Sequence, residues 1–504
     1  MKLTPLSLIA HWAGGELHGD DAMIDAVGND TRKLADGSLY VALRGERFDG
    51  HEFAAEAVAR GASGLLVDRL LPALSVPQVV VDNTELALAR IAAGMQRDRA
   101  TRVLALTGSN GKTSVKALLL SILTEAGRVD GTTVYATPGN RNNEIGLPLA
   151  VIAAPDDADV AIYEMGAGKP GDIAYLTEIA RPHVALVNNI APAHLERLGS
   201  LLGVAQTKGA IYAALPAEGV AVINADDAFG MWFEQQLQTQ PVRGRRILRY
   251  GLQASAEITA RQLRLHTGGA QFTLVTPQGE AQIALPLPGP PQRAQRTGGN
   301  RPCTRCRHRL AGDRGRSGTG TRGGRPGEIA QTLPNGVVLI DDSYNANPGS
   351  LDAAIDALAA APGEGWLVLG DMRELGAEGV ALHAAAGRRA RAAKLQRLYA
   401  LGELSAAAAQ AFGEGARVFA THAELIDALQ ADLVDAASQQ QQVPQHGSGN
   451  TQEHAVIHQQ QSPSTNALPG VASITILVKG SRGSAMDRIV TALLAPAEDA
   501  SHAA

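Results

Sequence analysis

An α/β protein of three domains is what this chain predicts, and three observations carry that reading. Alanine-rich helical segments alternate with β-branched strand segments, the pattern of layered α/β folds. At 504 residues the chain exceeds one ordinary domain, and two to four are expected. The run Leu104-Ala-Leu-Thr-Gly-Ser-Asn-Gly-Lys-Thr-Ser114 joins an apolar strand to a helix through a glycine-bracketed turn, the form of a phosphate-binding loop in a parallel sheet.

The first domain is read over residues 1–84. Ser38–Leu43 is a strand preceded by Asp30-Thr-Arg32, and Arg44–His51 is a polar Gly-containing loop leading into a helix over Glu52–Arg60. The second is read over 85–326. Its strands are Val103–Leu106, Ala158–Tyr163, Val184–Asn188 and Val220–Ile223, several of which run into polar residues at the end where parallel sheets place their ligands. The third spans 327–504 and reads as Rossmann-like. Strands at Val337–Ile340, Trp366–Leu369, Leu398–Leu401, Val418–Ala420 and Ile474–Val478 alternate with helices. Ser438–Pro469, rich in Gln, Ser, Pro and His, reads as a disordered insertion.

Charge and composition exclude some function classes. The formal net charge of −5 gives no global bias toward nucleic acid. No apolar run reaches membrane-spanning length, and the N-terminus lacks a secretory pattern. The only cysteines are Cys303 and Cys306, so a disulfide framework is not expected and a cytoplasmic enzyme fits. A single C-x-x-C lacks a second ligand pair for a zinc site.

The phosphate loop predicts ATP use. Gly108 and Gly111 let the backbone N–H groups of Ser109 and Asn110 turn toward an anion, and the helix from Lys112, Thr113 and Ser114 presents its positive end to the same phosphates. Lys112 can reach the β- and γ-phosphates, and Thr113 can ligate Mg²⁺. A strand–helix turn with no nucleotide is the plainer alternative. Glu164 ends a buried-looking strand, where a carboxylate is costly unless paired or metal-bound, and it is placed to hold Mg²⁺ opposite Thr113. On their own, His194 reads as a structural strand-end histidine and Lys208 as a solvated helix lysine.

Taken together, TGSNGKTSVK, TPGNRNNEIGLPLA, EMGA with PGDI, APAHLE and VAQTK resemble the Mur ligase family, whose members join amino acids or peptides to a UDP-sugar carboxylate at the expense of ATP. GNRNNEIG, DDSYNANP from Asp341 and LGDMRELG from Leu369 resemble the branch that adds D-alanyl-D-alanine to a UDP-N-acetylmuramoyl tripeptide. KGSR at Lys479–Arg482 resembles its C-terminal signature. The resemblance implies that Lys112 stabilises the transferring phosphoryl group and that Thr113 and Glu164 hold one Mg²⁺. It implies that His194 helps hold a second and that Lys208 carries a carbamate serving the metal site. It also implies a UDP-sugar site at Thr31, Arg32, Asp49, Gly50 and His51. Further substrate contacts would come from Asn140, Asn142, Asn143 and Glu144, with Asn345 and Asn347 contributing on domain closure and Asp342 contacting the nucleotide. For the DSYNANP run a plain Asx/Pro turn is the alternative. Ala210 stands where the family commonly has an acid. The implied partners are the muramoyl tripeptide and the dipeptide, with no nucleic acid and no membrane insertion, and the chain is expected to be a monomer.

One segment departs from the family. After Leu285-Pro-Leu-Pro-Gly289 the family pattern is R-H-N-x-x-N-A-L-A-A, an Ala/Leu helix pair and P-G-R. Here Pro290–Pro326 holds ten arginines, one acid and many glycines. Read one base later, the codons of Pro290-Pro-Gln permit R-H-N, those of Arg293–Gly299 permit A-L-N-A-L-A-A, and those of Asn300–Arg305 permit T-A-L-A-L-A. The segment therefore reads as the product of two compensating frame changes. The alternative expectation is a chain that binds UDP-sugar only, its nucleotide motif lost. An arginine/glycine nucleic-acid-binding insert is a weaker rival.

Overall fold

The computed structural model describes residues 1–45, 48–239, 244–266, 269–286, 330–333, 335–441 and 474–495. The chain divides into two compact units, 1–263 with 272–283 and 374–378, and 264–271 with 284–373 and 379–504.

The first unit opens with helix α1 (Leu6–Ala13) and strands β1 (Glu16–His18), β2 (Ala26–Gly28) and β3 (Ser38–Val41). Helix α2 (Ala54–Ala59) and strands β4 (Gly64–Val67) and β5 (Gln78–Val80) follow. The sheet order is β1-β5-β4-β3-β2, parallel except for the β1–β5 pair. Helix α3 (Thr84–Asp98) starts at Asn83, whose side chain accepts from the Leu86 N–H at 2.9 Å, a regular N-cap. It packs on α1 and continues the same apolar core into the next sheet.

That sheet contains β6 (Arg102–Thr107), β7 (Val134–Ala136), β8 (Val160–Glu164), β9 (Val184–Val187), β10 (Val220–Asn224) and β11 (Arg246–Tyr250), all parallel, in the order β11-β10-β9-β6-β8-β7. Its helices are α4 (Lys112–Asp130), α5 (Gly146–Ala153), α6 (Asp172–Ala180), the short α7 (Leu195–Leu198), α8 (Leu201–Ala213) and α9 (Gly230–Thr239). Strand order reverses around β6, and open parallel sheets form their ligand crevice at such a switch point, beyond the carboxyl ends of the strands. The expected strands all appear, with ends shifted by one or two residues. The three-stranded sheet of β12 (Thr259–His266), β13 (Gly269–Thr276) and β14 (Gly279–Pro286), in that order, has no counterpart in the sequence reading.

The second unit is built on β15 (Ala330–Thr332), β16 (Val338–Asp342), β17 (Glu364–Gly370), β18 (Arg397–Leu401), β19 (Ala416–Phe419) and β20 (Ile474–Lys479), in the order β15-β16-β20-β17-β18-β19. Only the edge strand β15 is antiparallel. Helices α10 (Pro348–Ala360), α11 (Gly379–Ala392), α12 (Ser405–Phe412), α13 (His422–Gln441) and α14 (Asp487–Leu494) complete it, with Trp366 wholly buried in the core. Helix α13 runs four residues into the Gln-rich stretch; the rest of that stretch lies outside the described residues, as do Pro290–Pro326 and both cysteines. Among the described residues no helix is long and apolar enough to cross a membrane.

Candidate functional site

The phosphate loop leaves β6 and enters α4. Gly108 and Gly111 take φ of 151° and 73°, in the left-handed half of the map that favours glycine. A Cβ at Gly108 would lie 3.0 Å from the Asn188 Cβ, and one at Gly111 2.9 Å from the Asn188 amide. The loop is pinned by two asparagines after β9. Asn189 Oδ1 accepts from the Asn110 N–H at 2.9 Å, and Asn188 Nδ2 donates to the Asn110 carbonyl at 2.8 Å. The Ser109 N–H donates to the Asn189 carbonyl, and its hydroxyl bonds the Ala191 carbonyl and N–H, both at 3.0 Å. Lys112 Nζ reaches back to the Gly108 carbonyl at 2.9 Å. Burial lowers the Lys112 pKa, with the Glu164 charge opposing it. Ser114 is exposed one residue beyond Thr113.

Glu164 ends β8, beside β6, at 1 % exposure. Its carboxylate accepts from the Thr113 hydroxyl at 3.2 Å and from Asn142 Nδ2 at 2.8 Å, and it pairs with Lys116 Nζ at 3.0 Å. Asn142 Nδ2 also meets Asn140 Oδ1 at 2.5 Å, while Asn143 caps the turn into α5 by accepting from the Gly146 N–H at 2.9 Å. Glu144 lies half-buried in that turn. Loop, carboxylate and phosphate loop thus form one connected group.

Lys208, on α8, is 2 % exposed rather than solvated. Burial, then the nearby charge of Lys112, lowers its pKa to about 7. His194 caps the start of α7 with φ of 55°, and its Nδ1 meets the carboxylate of Glu374, a residue that groups with this unit.

The N-terminal sheet carries a second polar cluster. His51 is buried, with Nδ1 bonded to Asp49 Oδ1 at 2.5 Å and Nε2 accepting from the Asp68 N–H at 3.0 Å. A hydrogen bond from the His51 backbone N–H, helped by the His51 ring and Arg69 and opposed by burial, holds the Asp49 carboxyl well below the usual carboxylate range. Arg44 Nε lies 3.1 Å from Asp68, and Arg69 bonds Asp49 at 3.0 Å and Asp68 at 3.1 Å. Gly50 is required here, since a Cβ would come within 2.6 Å of the Leu43 carbonyl oxygen. Thr31 is buried, and Arg32 is exposed and doubly bonded to Asp30 at 2.8 and 2.9 Å.

In the second unit, buried Lys479 donates to Asp342 Oδ2 at 2.6 Å and to the Asn345 carbonyl at 3.0 Å. Asn347 is the N-cap of α10, accepting from the Ser350 N–H at 3.0 Å in a reciprocal capping box.

Sequence reasoning missed Asn188, Asn189, Lys116 and Glu374. The polar end of β9 signalled the first two; Lys116, four residues after Lys112 and so on its helix face, had the i, i+4 spacing as its signal.

A Mg²⁺ ion takes oxygen ligands at about 2.0–2.1 Å in an octahedron, which sets neighbouring ligands about 3 Å apart. The Thr113–Glu164 oxygen separation of 3.2 Å fits such a pair. Among the described residues no group of three His, Cys, Asp or Glu side chains is set to hold a metal, so phosphate oxygens and water would complete the shell.

A phosphate loop at the switch point of a parallel sheet, with a hydroxyl and a buried carboxylate facing each other across it, defines a nucleotide-dependent enzyme. The comparisons narrow the class. The Mur ligase family catalytic domain matches residues 23–96, the Mur ligase middle domain 106–292, and the Mur ligase glutamate ligase domain 327–441. This chain belongs to the Mur ligase family, with its three-domain architecture. It is 40% identical over 490 residues to the UDP-N-acetylmuramoyl-tripeptide–D-alanyl-D-alanine ligase of Escherichia coli K12, covering 97% of this chain and 98% of that one. It is 34% identical to the Haemophilus influenzae enzyme of the same name, over 89% and 96% of the two chains. The structure of MurF from Acinetobacter baumannii superposes with a TM-score of 0.76 at 26% identity, covering 98% of this chain and all of that one.

Proposed function

We infer that this chain is an ATP-dependent ligase that joins D-alanyl-D-alanine to a UDP-N-acetylmuramoyl tripeptide, acting as a cytoplasmic monomer in peptidoglycan precursor synthesis. The observation that carries the chemistry is the Thr113–Glu164 pair beside the phosphate loop and Lys112. The 40% identity over nearly the whole chain carries the substrates.

A carboxylate and an amine in water form a salt, so the tripeptide's terminal carboxylate must first gain a leaving group. ATP supplies it as the γ-phosphoryl group, giving an acyl phosphate that the dipeptide amine opens with release of phosphate; Mg²⁺ offsets the charge on the phosphate oxygens. The chain's own residues bind and orient. The Ser109 and Asn110 N–H groups, expected to face an anion, are instead held by Asn189, so the α4 N-terminus is what cradles phosphate, and Lys112 leaves the Gly108 carbonyl for the transferring group. Thr113 and Glu164 would hold one metal, and His194 would help hold a second.

Lys208 supports a carbamate. An amine with a pKa of about 7 is substantially neutral at cytoplasmic pH and can add to CO₂, releasing one proton and leaving a carbamate anion. Thr31, Arg32, Asp49, Gly50 and His51 serve the UDP-sugar. There the Asp49–His51–Asp68 chain fixes the loop while Arg44 and Arg69 keep partly exposed guanidinium groups for an anionic ligand. Asn140, Asn142, Asn143 and Glu144 serve the muramoyl peptide, Asp342 the nucleotide and Asn345 the substrate.

Residues 290–326 we read as a frame-shifted stretch. The family models support this by stopping at 292 and resuming at 327.

The test is phosphate release. ATP, UDP-muramoyl tripeptide and D-alanyl-D-alanine together should give steady release, and omission of any one should abolish it. Binding of the UDP-sugar without release would favour the impaired-chain reading and overturn ours for the polypeptide as written.

A further inference from the structure

A lysine four residues after the phosphate-loop lysine ordinarily lies on an open helix face. Lys116 is instead 6 % exposed, the only buried residue of α4. Its ammonium makes two contacts on two other elements: the Gly139 carbonyl at 2.6 Å, in the loop between β7 and α5, and the Glu164 carboxylate at 3.0 Å, at the end of β8. The same loop returns to Glu164 through Asn142 Nδ2, and the Asn142 carbonyl accepts from the Gly166 N–H at 2.7 Å. Three segments distant in sequence therefore meet on one ammonium group.

We propose that Lys116 is a positioning residue for the ligase reaction, tying the asparagine loop to the carboxylate that holds the divalent cation. The proposal rests on the ligase reading above for what the loop and carboxylate serve. A buried carboxylate with no counter-charge is costly, and Lys116 supplies that charge in the absence of metal. Lys116 pairs with Glu164 Oε2 and Asn142 bonds Oε1, so an arriving cation shares the carboxylate with both. Two opposed consequences follow. Removing the tether loosens the loop. Removing the positive charge strengthens the attraction of Glu164 for a divalent cation, since the two cations compete for one carboxylate.

The experiment uses the full chain without substrates. Hydrogen–deuterium exchange of amides 139–143 should speed up about tenfold in Lys116→Met and stay near the wild-type rate in Lys116→Arg, which keeps charge and reach. Lys116→Gln keeps a donor for the Gly139 carbonyl and loses the charge. It should preserve loop protection while tightening Mn²⁺ binding, read by electron paramagnetic resonance with ADP present, by about fivefold. Unchanged loop exchange in Lys116→Met overturns the tether. Mn²⁺ binding that is equal, weaker or absent in Lys116→Gln overturns the sharing of Glu164. If the Met variant unfolds throughout, the Gln variant decides. Neither readout needs turnover, so an inactive chain with these responses sinks the ligase reading and leaves the role of Lys116 standing.

Discussion

Lys208 shows how a single residue trades stability for chemistry. Its pKa of about 7 in the fold lies below the unfolded value of about 10.4. Between those values the unfolded chain holds a proton that the folded chain has released, so stability rises with pH across that window. The penalty is fully present below pH 7, where the folded state must bury a cation. Lys208→Met should therefore raise the Tm in CO₂-depleted buffer at pH 6.5 by about 2 °C or more. The gain should shrink toward pH 10, and ligase turnover should be abolished. A melting curve showing the Met variant less stable than wild type at pH 6.5 would contradict the assignment of a buried charge there. The family resemblance pointed to this residue, but its burial was illegible in the sequence. Apart from the resemblance, VAQTK reads as a solvated helix segment, and only the packing of α8 on its neighbours buries the amine. Lys116 was hidden for the same reason, since the loop that covers it begins some twenty residues later.

At the scale of elements, the inner strands of both parallel sheets were legible because buried β-branched runs end in polar residues, and the phosphate loop because its glycines have a backbone job, while β7, β11 and β15 went unread. The sheet β12-β13-β14 was not: its strands Thr259–His266, Gly269–Thr276 and Gly279–Pro286 interleave polar and apolar residues, and β14 buries little, so no continuous apolar run marks it. Asn347 is a case where the element decides the role. The sequence left a substrate contact and an Asx/Pro turn open, and the structure uses the side chain to cap α10, with Pro348 at the first helical position. Asn347→Ala should cost the second unit about 1 kcal/mol, while Asn347→Asp should keep the cap. Thermal melts of both variants check this. Equal destabilisation by Ala and Asp would point away from the cap and toward a contact that requires the amide.

For the whole molecule, the coverage of the central sheet bears on the written sequence between Gly289 and Gly327. One face of that sheet, with Val103, Ala105, Ala161, Tyr163, Ala185, Val187, Ala221 and Ile223, is fully within the core. The β6–α4–β7 crossover runs opposite in direction to the β8–α6–β9 crossover, so right-handed connections put α4 on the other face. There Val184, Leu186, Val220 and Val222 are only half-buried, and α4 leaves Leu118 45 % and Ile122 62 % exposed. All-parallel sheets are covered on both faces, and among the described residues of this unit this face is short of apolar cover. An arginine- and glycine-rich stretch cannot supply it, whereas RHNALNALAATALALA, from the shifted frame, is a strong helix former with apolar residues to bury. A chain carrying the restored frame should bind less of a hydrophobic dye than the chain as written, melt more than about 5 °C higher and bind ATP more tightly. The first measurement is a fresh read of the encoding DNA across codons 285 to 330. A restored R-H-N-A-L-N-A-L-A-A makes the written segment an error and completes the nucleotide site. A confirmed arginine-rich frame, together with equal dye binding and equal melting for the two chains, would end the frame-change reading and leave the exposed face of α4 to another explanation.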